Sequence, residues 1–136
     1  MVFESVTYTE VCSSCGADLE CHGAQVLVGG RLRWDVESTC SACGSALLVC
    51  GGDLPGERRD QMLSEHGPAT VHVVSPSAGN VAIMRILRSE LGIDLADAKA
   101  VLRRVLSGDC TGTLPEMELL ARKLRASGVA AVAARS

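Results

Sequence analysis

Two pairs of cysteines with the same spacing are the residues in this sequence best suited to chemistry. The first pair lies in Cys12-Ser-Ser-Cys15-Gly and the second in Cys40-Ser-Ala-Cys43-Gly, with 24 residues between them. We call these two segments the first and second knuckles. Their four thiolates match the tetrahedral coordination that Zn²⁺ prefers. The glycine after each second cysteine allows the tight turn that points N–H groups at the sulfurs. The predicted zinc ligands are Cys12, Cys15, Cys40 and Cys43.

Four cysteine ligands leave no open position for water or substrate, which indicates a structural rather than a catalytic zinc. Redox or iron–sulfur chemistry is the alternative, because Cys-x-x-Cys also occurs in thiol oxidoreductases. Those enzymes carry a single motif at a helix N-terminus, whereas this chain has two motifs around a predicted hairpin. Cys21, His22 and Cys50 follow the knuckles and are further candidate ligands, although such residues more often only pack. No catalytic set is evident, so we predict a protein that is not an enzyme.

The elements that must position the cysteines are predicted to be β-strands. Apolar residues alternate on both sides of Gly29-Gly30, from Val26 to Val36, and this pattern predicts a hairpin with a two-residue turn. Ala46–Cys50 is a candidate third strand. Knuckle, hairpin, knuckle and strand follow one another as in a zinc ribbon, which residues 1–50 resemble.

Composition divides the chain into two small domains and a connector. Six of the seven cysteines lie in residues 1–50, and the apolar pattern typical of helices begins only after Val81. Residues 51–69 are predicted to be a connector with a short polar helix at 57–65. The net charge of −3 is unevenly distributed, because residues 1–50 carry −4, residues 51–69 carry −2 and residues 70–136 carry +3.

The C-terminal domain, residues 70–136, is predicted to contain six elements in the order βααβαβ. Asp94 and the Thr113-Leu-Pro-Glu116 segment are the helix-capping signals. The predicted apolar face of the second helix includes Leu95, and Cys110 is expected to pack. The whole chain is therefore predicted to be of the α+β class. The predicted elements are the strand Thr70–Val74, a loop at 75–79, the helices Asn80–Leu91 and Leu95–Leu106, a short strand near Cys110–Thr113, a helix from Thr113 to Gly128 and the strand Val129–Ala133.

The first two of these helices carry a family resemblance. Asn80-Val-Ala-Ile-Met-Arg-Ile-Leu-Arg88 is followed by Gly92-Ile-Asp-Leu-Ala-Asp-Ala-Lys99, and a Lys-Leu-x-x-x-Gly-Val segment spans 123–129. On these motifs, residues 70–136 resemble the C-terminal domain of the bacterial large-subunit ribosomal stalk protein. The protease adaptor that delivers N-degron substrates to a Clp unfoldase has a related fold, so the resemblance also allows that role.

The resemblance implies a site for a protein partner. In the stalk family this domain recruits translational GTPases through the exposed side of its first helix and a lysine of the next. Asn80 stands where the family has a lysine, and the stalk protein's helical dimerisation domain and hinge are replaced here by the predicted zinc ribbon. The matching positions are Val81, Met84, Arg85, Arg88 and Lys99.

Helical geometry leads to the same surface without the resemblance. At 100° per residue, four of these side chains fall within about 100° of one another, and we call them the basic patch. Ile83, Ile86 and Leu87 lie on the opposite side, which is the predicted core face. The patch would suit an acidic partner with apolar edges; an ordinary solvated helix face is the alternative. The basic patch consists of Val81, Met84, Arg85 and Arg88.

The sequence thus predicts a non-enzymatic zinc-binding adaptor, whose partner is a translation factor or a ribosome-associated protein. The first alternative is a zinc ribbon that binds RNA or DNA through Arg31, Arg33 and Trp34 on its hairpin. A Clp-type protease adaptor is the second. The acidic start at Met1–Glu4 has no signal-peptide pattern, and the longest apolar runs are too short for a bilayer. We therefore expect a cytoplasmic protein with no membrane partner.

Overall fold

The computed structural model describes residues 1–74 and 80–135, so the loop predicted at 75–79 lies outside the described residues. The chain forms two compact units, Met1–His66 and Gly67–Ser136, and both mix helices with antiparallel strands. The predicted α+β class is confirmed. No helix in the described residues has the length and apolar character that a membrane span requires. The elements are β1 Val2–Val11, β2 Asp18–Val28, β3 Arg31–Thr39, β4 Ala46–Gly52, α1 Gly56–His66, β5 Ala69–Val73, α2 Asn80–Leu91, α3 Leu95–Ser107, β6 Thr111–Gly112, α4 Leu114–Ala126 and β7 Ala131–Arg135.

The N-terminal unit is built on one antiparallel sheet with the strand order β1-β2-β3-β4. The predicted hairpin is confirmed, because Val28 pairs with Arg31 across Gly29 and Gly30. Both glycines have positive φ angles, 58° and 76°, which a two-residue turn of this kind requires. β1 was not predicted, although it pairs with β2 along its full length. The sheet therefore has four strands rather than three.

Helix α1 packs on one face of this sheet. Met62 is 0% exposed and forms a core cluster with Val6 of β1 and Trp34 of β3. The guanidinium of Arg58 lies 4.1 Å from the centroid of the Tyr8 ring, a cation–π contact. The helix that the sequence assigns to a connector thus lies in the N-terminal unit, and the division between the units falls after His66.

Two side chains of α1 also bind the backbone of β1. The Gln61 amide donates to the Thr7 carbonyl at 2.8 Å. The ring Nε2 of His66 donates to the Ser5 carbonyl at 2.7 Å. Because carbonyls two residues apart in a strand point to the same side, these bonds fix α1 along one line of β1.

Gly23 of β2 leaves the space that the Trp34 indole occupies. A Cβ atom at Gly23 would lie 2.1 Å from the ring. We expect Gly23→Ala to displace the buried indole and to lower the free energy of unfolding of the N-terminal unit by about 1–3 kcal/mol. Urea unfolding followed by Trp34 fluorescence measures this loss.

Gly52→Ala is the matched control, because a Cβ there would lie 3.6 Å from the Trp34 carbonyl oxygen, an ordinary contact. A loss for Gly52→Ala as large as that for Gly23→Ala would contradict the steric explanation.

The C-terminal unit follows the predicted order of six elements, β5, α2, α3, β6, α4 and β7. Its sheet has the order β6-β5-β7, with β5 antiparallel to both neighbours. One face of the sheet is buried by the helices, whereas His72 and Val132 on the other face are exposed. The core residues are Ala69, Val71, Ile83, Leu87, Val101, Leu102, Val105, Met117, Leu120, Ala121, Leu124, Val129 and Ala131.

The predicted capping signals are confirmed at both helix starts. The Asp94 side chain accepts from the Asp97 N–H at 2.8 Å, and Thr113 forms a reciprocal capping box with Glu116. The prediction of Leu95 as a core residue is wrong, because this side chain is 49% exposed at the first turn of α3. Cys110 packs against the core as expected.

Candidate functional site

The four knuckle cysteines lie together at one end of the N-terminal sheet. All four sulfurs lie within 4.8 Å of one another. Cys12 Sγ and Cys43 Sγ are 3.8 Å apart, and Cys15 Sγ and Cys40 Sγ are 3.5 Å apart. A tetrahedral zinc with Zn–S bonds of about 2.3 Å would place its sulfurs about 3.8 Å apart. The distances therefore suit four thiolates around one metal ion, and they are too long for disulfide bonds.

The two knuckles have the same local structure. In the first, the Gly16 N–H donates to the Cys12 carbonyl at 2.8 Å, and in the second the Gly44 N–H donates to the Cys40 carbonyl at 2.8 Å. Both glycines have a φ angle of 76°, in the left-handed region that favours glycine. A side chain at either position would meet no neighbour within 4 Å, so the requirement for glycine is conformational.

The sheet brings the knuckles together. The first knuckle joins β1 to β2, and the second joins β3 to β4. The pairs Val11↔Asp18 and Thr39↔Ala46 close the two turns, and Glu20 pairs with Thr39 between them. A metal at this position would therefore cross-link two turns that are far apart in sequence.

Hydrogen bonds give the thiols unequal acidity before a metal binds. The hydroxyl and backbone N–H of Ser45 lower the pKa of the Cys43 thiol to about 6. Backbone N–H groups in the first knuckle lower the pKa of Cys12. The Ala17 backbone N–H acts to lower the pKa of Cys15, but the Cys40 sulfur, burial and the other two knuckle sulfurs together outweigh it, and the pKa rises to about 12. Metal binding at neutral pH must therefore displace at least the Cys15 proton.

The other candidate ligands stay outside this group. Cys21 is buried in the sheet, where burial first and the Glu10 carboxylate second raise the pKa of its thiol. His22 is exposed beside Glu20, and Cys50 is exposed on β4. In residues 1–74 and 80–135, only the four knuckle cysteines are arranged to hold a metal.

A second candidate site is a groove on the C-terminal unit. It has a volume of about 570 Å³, and its lining includes the whole basic patch. Ser89 of α2, Ile93 of the link between the helices and Leu95 of α3 complete it, and we call it the α2–α3 groove. Sequence reasoning missed these three residues. The apolar Ile93 in a short link was the available signal for this surface.

The groove combines apolar and basic side chains. Val81 is 70% exposed, while Met84 is half-buried and also packs against the core. Arg85 and Arg88 are exposed. Lys99, the fifth predicted residue, is exposed on α3 but is not among the described residues that line the groove. The structure thus brings together four of the five predicted residues.

The arginines of the groove carry charge that the described part of the chain does not neutralise. Neither Arg85 nor Arg88 forms an ion pair with a described carboxylate. The cations of α4 behave differently, since Glu118 pairs with both Arg122 at 3.1 Å and Arg125 at 2.9 Å. The charges of Arg85 and Arg88 on α2 are therefore available to a partner.

Comparisons with models of known protein families, with curated proteins and with solved structures find no match to this chain.

Proposed function

We propose that this protein is a non-enzymatic, zinc-binding adaptor. The N-terminal unit is a zinc ribbon in this proposal, and the C-terminal unit is a domain like that of the ribosomal stalk. The α2–α3 groove binds an acidic segment of a protein partner. The observation that carries the proposal is the pairing of an exposed apolar groove with two arginines that have no carboxylate partner among the described residues.

The lining of the groove defines the chemistry of its partner. Val81, Met84 and Leu95 offer an apolar surface that would gain stability from burial. Arg85 and Arg88 border this surface and would pair with carboxylates. An amphipathic segment with apolar anchors and flanking Asp or Glu residues satisfies both requirements. The resemblance to the stalk domain points to a translational GTPase or a ribosome-associated factor as its source.

Zinc has a folding role in this proposal. Four thiolates fill the tetrahedral positions of the ion, so no position remains for a substrate. The site would hold the ends of both hairpins in place, and the ribbon would anchor the adaptor to a second partner. We assign no reaction to the chain.

The structure argues against the nucleic-acid alternative at two of the three residues on which that alternative depends. Trp34 is 6% exposed beneath α1, so its ring cannot stack on a base. Arg33 pairs with Asp35 at 3.0 Å, which reduces the charge available for a phosphate. Arg31 remains exposed. No observation favours the Clp-type adaptor over the leading proposal.

Charge reversal at the groove tests the proposal. We expect Arg85→Glu/Arg88→Glu to weaken partner binding at least about tenfold, because two attractive pairs become repulsive. The zinc-loaded full-length protein serves as bait in native lysate, captured proteins are identified by mass spectrometry, and affinity for the purified partner is measured at low and high salt.

Arg103→Glu/Arg104→Glu is the matched control, since both arginines are exposed on α3 and neither lines the groove. Capture of translational GTPases or ribosomal proteins by the wild type and the control, but not by the groove variant, supports the proposal. Equal capture by all three proteins would contradict it.

A further inference from the structure

β4 is an edge strand whose side chains lack the usual protection. It pairs with β3 on one side only, and all seven of its residues are exposed. Leu47, Leu48 and Val49 are consecutive large apolar residues that are 51% to 65% exposed. The strand Ala46–Gly52 contains no charged residue and no proline. Natural edge strands usually carry such residues, or a covering element, because the free N–H and C=O groups otherwise pair with another strand.

The opposite edge of the same sheet is treated differently. β1 contains Glu4 and Glu10, and two of its carbonyls accept hydrogen bonds from α1. Of the two edge strands of this sheet, β1 is therefore protected and β4 is not.

We propose that the free edge of β4 pairs antiparallel with β4 of a second copy of this chain. The free backbone groups of the edge require an extended strand as occupant. A strand without charged residues cannot form ion pairs with a charged foreign strand. Two copies of β4 can pair with each other without placing any charged side chain of the strand in the interface. Around a two-fold axis near Leu48, apolar side chains meet apolar side chains on both faces of the joined sheet. The result is a continuous sheet of eight strands.

Charge outside the strand sets how tightly two copies associate. Met1–His66 carries four Lys/Arg and ten Asp/Glu residues, a net charge of −6, so two N-terminal units repel each other. Two acidic residues of β3 lie beside this strand, because Glu37 pairs with Leu48 and the Asp35 carboxylate accepts from the Gly51 N–H at 3.0 Å. Salt screens this repulsion and should strengthen the dimer. An interface of one strand is small, so we expect the two copies to associate weakly.

Sedimentation velocity of the zinc-loaded full-length protein tests this inference. Over a range from about 1 to 200 µM, we expect the mass to rise from the 14.2 kDa of one chain towards twice that value. Leu48→Lys places a charge at the centre of the edge and should weaken self-association at least about tenfold. Phe3→Lys is the matched control, because Phe3 is also an exposed apolar residue of this sheet but lies on β1.

Two results would overturn the inference. In the first, the wild type stays monomeric at every concentration and in high salt, which assigns the edge to a foreign strand or to solvent. In the second, Leu48→Lys retains its zinc and dimerises as well as the wild type, which places the interface elsewhere. The Arg85→Glu/Arg88→Glu variant should dimerise normally, so failure here is distinguishable from failure of the proposed partner site.

Discussion

We expect the Cys40→Ser variant to bind no zinc and to lose the folded sheet between residues 12 and 50. Cys40 is a buried member of the four-sulfur group, and serine replaces its thiolate ligand with a hydroxyl. Structural zinc contributes about 10–16 kcal/mol of apparent free energy, which is comparable to the whole stability of a typical domain. Native mass spectrometry measures zinc per chain, and Trp34 fluorescence reports exposure of the sheet core.

Cys50→Ser is the control for this prediction. Cys50 is an exposed cysteine of the same sheet that lies outside the metal group. This variant should keep one zinc per chain and the unfolding curve of the wild type. A Cys40→Ser protein that keeps its zinc, or that keeps a buried Trp34 without zinc, would show that the four sulfurs do not hold the fold together.

The second large effect is expected at Met62. This side chain is the contact through which α1 covers Val6 and Trp34. We expect Met62→Ala to lower the free energy of unfolding of the N-terminal unit by about 2–5 kcal/mol, since it removes a fully buried side chain and leaves a cavity. Urea unfolding monitored by Trp34 fluorescence gives the magnitude.

Met62→Leu separates the loss of contact from the change of side chain. Leucine has a similar volume, so this variant should lose less than about 1.5 kcal/mol. A Met62→Ala protein as stable as Met62→Leu would contradict this prediction. It would show that the contact of Met62 with Val6 and Trp34 contributes little to the stability of the unit.

Local signals in the sequence were sufficient for several elements. Gly29-Gly30 specifies a turn because few other residues adopt two successive positive φ angles, and the turn lies at the predicted position. Thr113 and Glu116 specify a helix start through their reciprocal hydrogen bonds. The spacing of Cys12, Cys15, Cys40 and Cys43 correctly grouped four sulfurs that the sheet brings together.

Features that depend on distant contacts were not accessible in this way. β1 places Glu4 on its buried face, which hides the alternation that usually indicates a strand. The position of α1 depends on a contact between Met62 and Trp34. The residues around Met62 and those around Trp34 give no sign that these two side chains meet. Leu95 has the helical spacing of a core residue, yet it is 49% exposed and lines the groove together with residues of α2.

The two sulfurs contributed by each knuckle differ in their access to solvent. Cys12 and Cys40 are buried, whereas Cys15 and Cys43 are exposed. Chelators and oxidants should therefore reach one sulfur of each knuckle first. An ion held by these four sulfurs would remain bound to Cys12 and Cys40 after losing an outer ligand, so the link between the hairpins would persist. Dissociation should accordingly be slow, and a departing sulfur should rebind before the sheet opens.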